Sequence, residues 1–286
     1  WLLLSGDNRI VRWSPVNNSL RYYLDNVDPA FIFQTQPDEI WVGTVGDGLF
    51  NIKTKSHAVK QFHQGDGSGL SDNTINAALK GKKGEFWVAT RKGVDRYNPA
   101  TQQFEHFAIQ RENQDIAVQS LVMDRQDYLW LATNQGIFKL EPADGTLHHF
   151  TVNDGLHSNN FLARSALMAK DGSIYFGSID GLTRFQPEEV YVNRVPPPVV
   201  ITGLTLDGRV ISPVPETLEV SHHFKQIQIH YAALDYQAPE DNRYRTRVTG
   251  YSDDWSPVSP ATRLSLGRLQ PGEYQLQIQG SNNHGV

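Results

Sequence analysis

Short apolar runs separated by glycine, asparagine and charged residues follow one another along the chain as far as Tyr191. Several share one outline: an aromatic anchor, an apolar residue, Gly or Ala, Thr or Ser, and then a glycine that opens a second apolar run. The segments are IWVGTVGDGLFNI (40–52), FWVATRKGVDRYNP (86–99), LWLATNQGIFKLEP (129–142) and IYFGSIDGLTRFQP (174–187). Because no window sustains a 3.6-residue period, the pattern predicts a repeated unit of short β-strands.

The repeat length is typical of propeller blades. The anchors Trp41, Trp87, Trp130 and Tyr175 recur about every 45 residues, within the range of four-stranded blades. In one unit, TINAALK (74–80) predicts the inner strand, GKKGE (81–85) a hairpin turn, FWVAT (86–90) a strand buried on both faces, GVDRYN (93–98) the third strand and FEHFAI (104–109) the outer strand. Stacking such sheets around an axis buries faces that a single sheet cannot bury.

The number of blades is lower than expected for a complete ring. WLLLSGDNRIVRW (1–13) is a degenerate copy of the unit that lacks an inner strand, and the repeats end near Tyr191. Closed rings have about 4–8 blades, and end blades left open would expose apolar faces. We therefore expect further blades before Trp1, or a neighbouring chain over the gap; a tight five-membered ring is the alternative.

A different pattern follows the prolines of VPPPVV (195–200). Short alternating strands separated by turn residues fill about ninety residues, which predicts an immunoglobulin-like sandwich. LQPGEYQL (269–276) fits a tyrosine corner at Tyr274. The predicted fold class is all-β, with propeller repeats over residues 1–195 and the sandwich over residues 196–286.

Composition argues against several classes of function. A net charge of -5 without a long basic run argues against a nucleic-acid partner. The absence of cysteine excludes thiolate metal sites, disulfides and cysteine nucleophiles. No apolar stretch approaches the ~18 residues of a membrane helix, and the start resembles no signal peptide. We take the chain to be a piece of a longer protein whose membrane contacts, if any, lie in other segments.

Candidate catalytic chemistry is sparse. His63, His106 and His149 recur beside phenylalanines, but on outer strands, where they would point apart, so we interpret them as edge-strand histidines and not as metal ligands. The pairs 222–223 and 253–254 are interpreted as a solvated loop and a turn, and GDGSG (65–69) precedes no helix. We predict no catalytic residue, no metal and no cofactor.

The best binding candidates lie between the second and third strands of successive blades. These positions vary strongly among the repeats and would form one rim of a propeller, where variable loops on a rigid scaffold carry function. Solvated hairpin turns without a ligand are the alternative for each residue. The candidates, which could meet an acidic or hydroxylated ligand, are Arg91, Lys92, Asn134, Gln135 and Asp180.

The order of motifs resembles a known combination of a propeller repeat and a C-terminal domain. The blades resemble the two-component-regulator propeller repeat. The connections GLSDNTI (69–75) and DGLHSNNF (154–161) match the segment with which each blade of that family begins. DGSIYFGSIDGLTRFQPEEV (171–190) is similar to the family's last blade. The sandwich resembles the three-tyrosine (Y_Y_Y) domain, whose positions Tyr244, Tyr251 and Tyr274 fill.

This resemblance implies the periplasmic sensor region of a bacterial inner-membrane histidine kinase, hybrid two-component protein or diguanylate cyclase. It implies a small-molecule or oligosaccharide ligand, a homodimer in the full-length protein and a catalytic output domain outside this chain. Family propellers usually have seven blades, so this chain supplies too few. A propeller enzyme such as a lyase, which would need convergent histidines and acids, and a protein-interaction scaffold remain the alternatives.

Overall fold

In a computed structural model, the chain forms two compact units, Trp1–Val190 and Tyr191–Val286. The structure describes residues 2–4, 9–81, 84–111, 114–221, 223–236 and 238–286. Trp1, His222 and the two lysines of the predicted GKKGE turn therefore lie outside the described residues. Strands and turns dominate, and no helix in the described ranges is long and apolar enough to cross a membrane. The all-β prediction is confirmed.

Within the described residues, the first unit contains five antiparallel sheets of three or four strands that follow one another along the chain, and one two-stranded sheet. Sheet one contains β1 (Leu2–Leu4), β2 (Arg9–Ser14) and β3 (Ser19–Asp25); sheet two contains β4 (Pro29–Gln36), β5 (Glu39–Thr44), β6 (Leu49–Lys53) and β7 (Val59–Phe62). Sheet three contains β8 (Ile75–Lys80), β9 (Phe86–Thr90), β10 (Gly93–Asn98) and β11 (Gln103–Ala108), and a small hairpin of β12 (Gln110–Arg111) and β13 (Gln114–Asp115) follows it. Sheet four contains β14 (Val118–Met123), β15 (Leu129–Thr133), β16 (Gly136–Leu140) and β17 (Leu147–Phe150); sheet five contains β18 (Phe161–Met168), β19 (Ile174–Ser178) and β20 (Gly181–Phe185).

The recurring Thr and Gly of the repeat close the hairpin between the second and third strands. In sheet three, Thr90 Oγ1 donates to the carbonyl of Gly93 at 3.2 Å. Gly93 has a φ of 133°, and a Cβ there would collide with the carbonyl oxygen of Phe107 on the outer strand. Only glycine fits this position, which explains why the outline repeats. The same bond links Thr44 to Gly48, Thr133 to Gly136 and Ser178 to Gly181.

The core lies between neighbouring sheets. The second strands of sheets two, three and four are almost wholly buried. Between sheets two and three, Trp41 packs on Phe86 with ring centres 4.6 Å apart, and Phe62, Tyr97 and Phe104 extend the cluster. Stacking of near-identical sheets therefore buries the aromatic anchors, as the repeat predicts.

The end sheets differ from the inner ones. In sheet five, Leu167, Ile179 and Leu182 are exposed, with Leu182 at 63%. In sheet one, Trp13 and Leu20 are exposed as well. Within the described ranges, no strand of sheet one pairs with a strand of sheet five. Both end sheets thus present apolar side chains to solvent, and the expectation that further blades or another chain cover them stays a prediction.

The second unit is built from two antiparallel sheets. One has the order β22 (Arg209–Ile211), β21 (Val199–Leu206), β23 (Ile227–Ala233), β25 (Arg263–Leu266), and the other pairs β24 (Arg243–Thr249) with β26 (Gln275–Ser281). The buried Tyr244 hydroxyl accepts the backbone N–H of Ala233 at 3.0 Å. Tyr274 donates its hydroxyl hydrogen to the carbonyl of Gln270 at 2.7 Å, which is the hydrogen bond of a tyrosine corner.

The segment before the three prolines is hydrogen-bonded within the second unit. Asn193 donates its side-chain amide to Asp235 at 2.8 Å, and its carbonyl accepts from Asn282 at 2.8 Å. The compact units accordingly divide between Val190 and Tyr191, whereas the sequence pattern placed the boundary after residue 195.

Candidate functional site

The five side chains predicted to bind a ligand lie on the hairpins that follow the second strands of sheets three, four and five. Arg91, Asn134 and Asp180 are exposed, whereas Lys92 and Gln135 are half-buried. The three hairpins belong to consecutive sheets and share one rim of the unit. The structure places them on this rim but does not gather them around a cavity.

Two of these residues already have local partners. The carboxylate of Asp180 accepts a hydrogen bond from Ser158 Oγ at 2.7 Å, which ties the hairpin of sheet five to the connection that leads into that sheet. The carbonyl oxygen of Gln135 lies 2.5 Å from His149 Nε2. The side chains of Arg91 and Lys92 form no hydrogen bond or ion pair with any other residue that the structure describes, so their positive charges are available to solvent.

The connections between sheets brace this rim. The carbonyl of Asn73 accepts the backbone N–H groups of Gly46 at 3.2 Å and Gly48 at 2.8 Å, and the carbonyl of Asn159 accepts that of Gly136 at 2.8 Å. These two connections therefore fix the hairpins of the sheets that precede them, sheets two and four. The side-chain oxygens of the same two residues also accept backbone N–H groups, Asn73 from Gln64 at 2.7 Å and Asn159 from Val152 at 2.9 Å, which explains why asparagine recurs in the segments 69–75 and 154–161.

The three recurring histidines have separate local partners. His106 Nδ1 lies 2.6 Å from Asp95 Oδ1, His149 stacks on Phe138 with ring centres 4.2 Å apart, and His63 Nε2 lies 2.8 Å from Asn73 Nδ2. The described residues contain no group of three side chains suited to hold a metal ion.

Asp95 is a buried carboxylate that the sequence pattern did not single out. It is completely buried, and it accepts hydrogen bonds from the backbone N–H of Ser71 at 2.9 Å and from its hydroxyl at 2.8 Å, besides the contact with His106. The aspartate lies between the serine and the histidine, so the imidazole cannot take the serine proton as it would in a catalytic triad. The network is suited to hold the connection and not to activate a nucleophile.

Two open cavities lie at the opposite rim, where the other turns of neighbouring sheets meet. The lysine cavity, between sheets two and three, has a volume of about 770 Å³, and Lys53, Lys60, Lys80 and Glu39 line it. The acidic cavity, between sheets three and four, has a volume of about 740 Å³; its charged lining residues are Glu85, Arg96, Glu105, Asp127 and Glu141. None of the five residues predicted from the sequence lines either cavity.

In the lysine cavity, both carboxylate oxygens of Glu39 accept hydrogen bonds. Its Oε1 accepts from Asn51 Nδ2 at 3.0 Å and from Lys53 Nζ at 2.6 Å, and its Oε2 accepts from Thr35 Oγ1 at 2.7 Å. Burial acts to raise the pKa of Glu39, but the hydrogen bonds from Lys53, Thr35 and Asn51 outweigh it, so the pKa lies below its ordinary value. Burial and the charge of Glu39 raise the pKa of Tyr97.

In the acidic cavity, the side chain of Arg96 lies over the ring of the aromatic anchor Trp87. The Arg96 guanidinium lies 5.4 Å from the centre of the Trp87 ring and is hydrogen-bonded to Glu105. The indole nitrogen of Trp87 is buried and has no hydrogen-bond partner in the described part of the chain. In the neighbouring sheets, Thr35 and Asp124 supply an acceptor to the corresponding indoles of Trp41 at 3.2 Å and Trp130 at 2.8 Å.

Sequence reasoning missed both cavities, although the repeats contain a signal for them. The residue that faces each aromatic anchor across the second and third strands is polar or cationic in every sheet from two to five. These residues are Asn51, Arg96, Lys139 and Arg184. An alignment of the repeats would have shown that this position is never apolar and therefore faces a solvated cleft.

Comparison with known proteins identifies the C-terminal part. Residues 235–286 match the Y_Y_Y domain family, which confirms the resemblance inferred from the three tyrosines. Over 284 residues the chain is 25% identical to histidine kinase P4 of Formosa agariphila. The alignment covers 93% of this chain and 20% of the kinase, so the chain spans about a fifth of that relative.

Solved structures support the fold. The extracellular domain of the hybrid two-component system BT3049 from B. thetaiotaomicron superimposes with a TM-score of 0.57 at 20% identity, covering 91% of this chain and 45% of that one. The extracellular domain of the one-component system BT4673 from the same organism gives a TM-score of 0.48 at 20% identity, covering 98% and 46%. The first of these likenesses shows that the chain has the fold of such an extracellular domain.

Proposed function

We propose that this chain is part of the extracytoplasmic sensing region of a membrane-bound signal-transduction protein. The observation that carries the proposal is the order of the modules: propeller sheets lead directly into a Y_Y_Y domain, in a chain that aligns with a histidine kinase over 93% of its length. The whole protein would reside in the inner membrane, with this region in the periplasm and a kinase or cyclase domain in the cytoplasm.

The proposed ligand surface is the rim that carries Arg91, Lys92 and Asn134. Their side chains are donors without partners among the described residues. The hairpins are held by the connections: Ser71 is hydrogen-bonded to Thr90 and Asp95 in sheet three, and the carbonyl of Asn159 accepts from Gly136 in sheet four. A small molecule or oligosaccharide with carboxylate or hydroxyl acceptors fits these donors. Gln135 and Asp180 would contribute at the edge of the same surface.

Signalling would follow from a population shift in a homodimer of the full-length protein. A ligand changes the balance between two conformations only by its difference in affinity for them. A tenfold preference for the signalling conformation would supply about 1.4 kcal/mol. The rim therefore needs only modest selectivity to produce a graded response.

The gene provides the first test. We expect the coding sequence beyond Val286 to contain an apolar span of about 20 residues, followed by an output domain. The identity of that domain distinguishes a histidine kinase from a diguanylate cyclase. A coding sequence that ends soon after residue 286 without such a span would refute the membrane-bound sensor.

A response assay with the full-length protein provides the second test. A reporter for its output is measured in cells exposed to a panel of sugars and small acids. For the active compound, Arg91→Ala combined with Asn134→Ala should raise the half-maximal concentration about tenfold, as expected for two lost hydrogen bonds. Lys170→Ala, an exposed change on sheet five, is the control and should respond like the wild type. Equal responses of all three proteins would exclude the rim as the ligand surface.

A further inference from the structure

The lysine cavity carries positive charge that no carboxylate among the described residues neutralises. Of these residues, three with an ammonium group and one with a carboxylate line it. Lys53 Nζ lies 2.6 Å from Glu39 Oε1, so these two side chains form an ion pair. Lys60 and Lys80 form no ion pair with any carboxylate in the described part of the chain. Their two charges therefore face the cavity without a counter-ion among the residues that the structure describes.

These two ammonium groups are anchored from opposite sheets. Lys60, on the outer strand of sheet two, donates to Gln102 Oε1 of sheet three at 2.7 Å. Lys80, on the inner strand of sheet three, donates to the carbonyl of Thr35 of sheet two at 2.8 Å. Each bond uses one of the three ammonium hydrogens and goes to a neutral oxygen. Both groups are thus held across the cleft, and each retains hydrogens for a further acceptor.

The walls of the cavity offer apolar surface beside the charges. The Lys60 ammonium lies 4.5 Å from the centre of the Phe62 ring, and Val59, which is exposed, and Pro99 line the same cavity. Its volume of about 770 Å³ lies within the range typical of small-molecule sites, roughly 300–1,000 Å³. Apolar surface with a few convergent polar groups is the usual composition of such a site.

We infer that the lysine cavity binds a small organic anion whose carboxylate bridges Lys60 and Lys80 and whose ring packs against Val59 and Pro99. The site is separate from the rim of Arg91, because it lies at the opposite end of the sheets. The inference does not depend on the proposed signalling role, since the cavity can hold an anion whether or not the whole protein is a sensor.

The acidic cavity serves as an internal comparison. It occupies the equivalent place between the next two sheets and has a similar volume, but four carboxylates and one guanidinium line it. A small anion should therefore be repelled there and retained in the lysine cavity. Selective binding between two cavities of the same build would follow from charge alone.

Protection from acetylation tests the site in the unaltered protein. The chain is treated with an amine-acetylating reagent in the presence of glucuronate, glucose or sulfate, and modified lysines are quantified by mass spectrometry. Glucuronate and glucose differ by the carboxylate, so glucuronate should protect Lys60 and Lys80 and glucose should not. Sulfate should compete with glucuronate. Lys170, which is exposed on sheet five, is the internal control and should be modified equally in all samples.

Affinity measurements on variants complete the test. Lys60→Gln and Lys80→Gln should each weaken glucuronate binding about threefold to tenfold, as expected for the loss of an exposed ammonium contact, and Lys170→Gln should leave it unchanged. The effect of each substitution should shrink at high salt. A dissociation constant above about 10 mM for the wild type, equal protection by glucose, or protection of Lys170 to the same extent would overturn the inference. Thermal unfolding of each variant shows that lost binding is not lost folding.

Discussion

The buried indole of Trp87 gives a sharp test of how the repeats are stabilised. In sheets two and four, the residue six positions before the aromatic anchor accepts the indole hydrogen: Thr35 for Trp41 and Asp124 for Trp130. In sheet three this residue is Gly81, and the indole nitrogen of Trp87 has no partner among the residues that the structure describes. The substitution Gly81→Thr transplants the arrangement of sheet two into sheet three.

The magnitude follows from three contributions. Leaving a buried donor without a partner costs about 1–3 kcal/mol, of which a new hydrogen bond should recover about 1 kcal/mol. Replacing a glycine restricts the unfolded chain and adds about 0.4–1 kcal/mol. Against this, a Cβ at Gly81 collides with the carboxylate end of Glu85, and turning that side chain aside costs about 0.5–1.5 kcal/mol. The contributions sum to between about 0 and 1.5 kcal/mol, so we expect a net stabilisation of about 0.7 kcal/mol.

Gly81→Ala is the matched control. It introduces the same Cβ and the same restriction of the unfolded chain, but no acceptor. The difference between the threonine and alanine variants therefore isolates the hydrogen bond, and we expect it to be about 1 kcal/mol. Urea unfolding followed by tryptophan fluorescence is suited to the measurement, because five of the six tryptophans lie in the first unit. If Gly81→Thr is no more stable than Gly81→Ala, the indole of Trp87 is not the source of instability and the reasoning is wrong.

Three further substitutions test other parts of the structure. Glu39→Gln should lower the free energy of unfolding by about 1 kcal/mol at neutral pH. Because folding lowers the pKa of Glu39, its stabilisation is present above the ordinary value of 4.5 and is lost as the pH falls through the lower folded value. In urea titrations, the unfolding free energies of wild type and variant should therefore converge at acid pH, and a constant difference between them would contradict this. Asp95→Ala leaves three donors without an acceptor and should cost about 2–4 kcal/mol, whereas the partly exposed partner change His106→Gln should cost less than half as much in the same unfolding assay. Tyr274→Phe removes the hydrogen bond to Gln270 and should destabilise the second unit by about 1 kcal/mol, measured by hydrogen exchange of the backbone amides of β24 and β26. Unchanged exchange would show that packing alone holds the corner.

The architecture could be predicted because its strongest constraints are local and repeated. The glycines that close the hairpins, such as Gly93, have no alternative at their backbone conformation, and the aromatic anchors such as Trp87 mark a strand buried on both faces. Each constraint appears at a fixed position in the repeat, so the sheets can be located without any tertiary information. The paired strands Gln110–Arg111 and Gln114–Asp115 interrupt this series, and no feature of the repeat predicted them.

The candidate sites were harder to predict from the sequence because each depends on a pair of neighbouring sheets. Lys60 and Lys80 are twenty positions apart and belong to different repeats, and only the packing of sheet two on sheet three brings both to one cavity. The rim residues could be proposed from the sequence, since a hairpin position is a local property. Their convergence on a ligand is a property of the assembled sheets, and a single sequence does not contain it.

The deviations from the repeat are more informative about chemistry than the repeat itself. Two residues after the hairpin glycine, sheet four has Phe138, which stacks on His149 of the outer strand, whereas sheet three has Asp95, which contacts His106 at the same register. The backbone is the same, but an apolar contact is replaced by a buried carboxylate. A buried charge is costly unless every acceptor is used, and Asp95 is retained with three hydrogen-bond partners, two of them from Ser71 in the preceding connection. Its effect, together with the hydrogen bond between Ser71 and Thr90, is to fix that connection against the hairpin that carries Arg91 and Lys92, so a buried polar network lies directly beneath the proposed ligand surface.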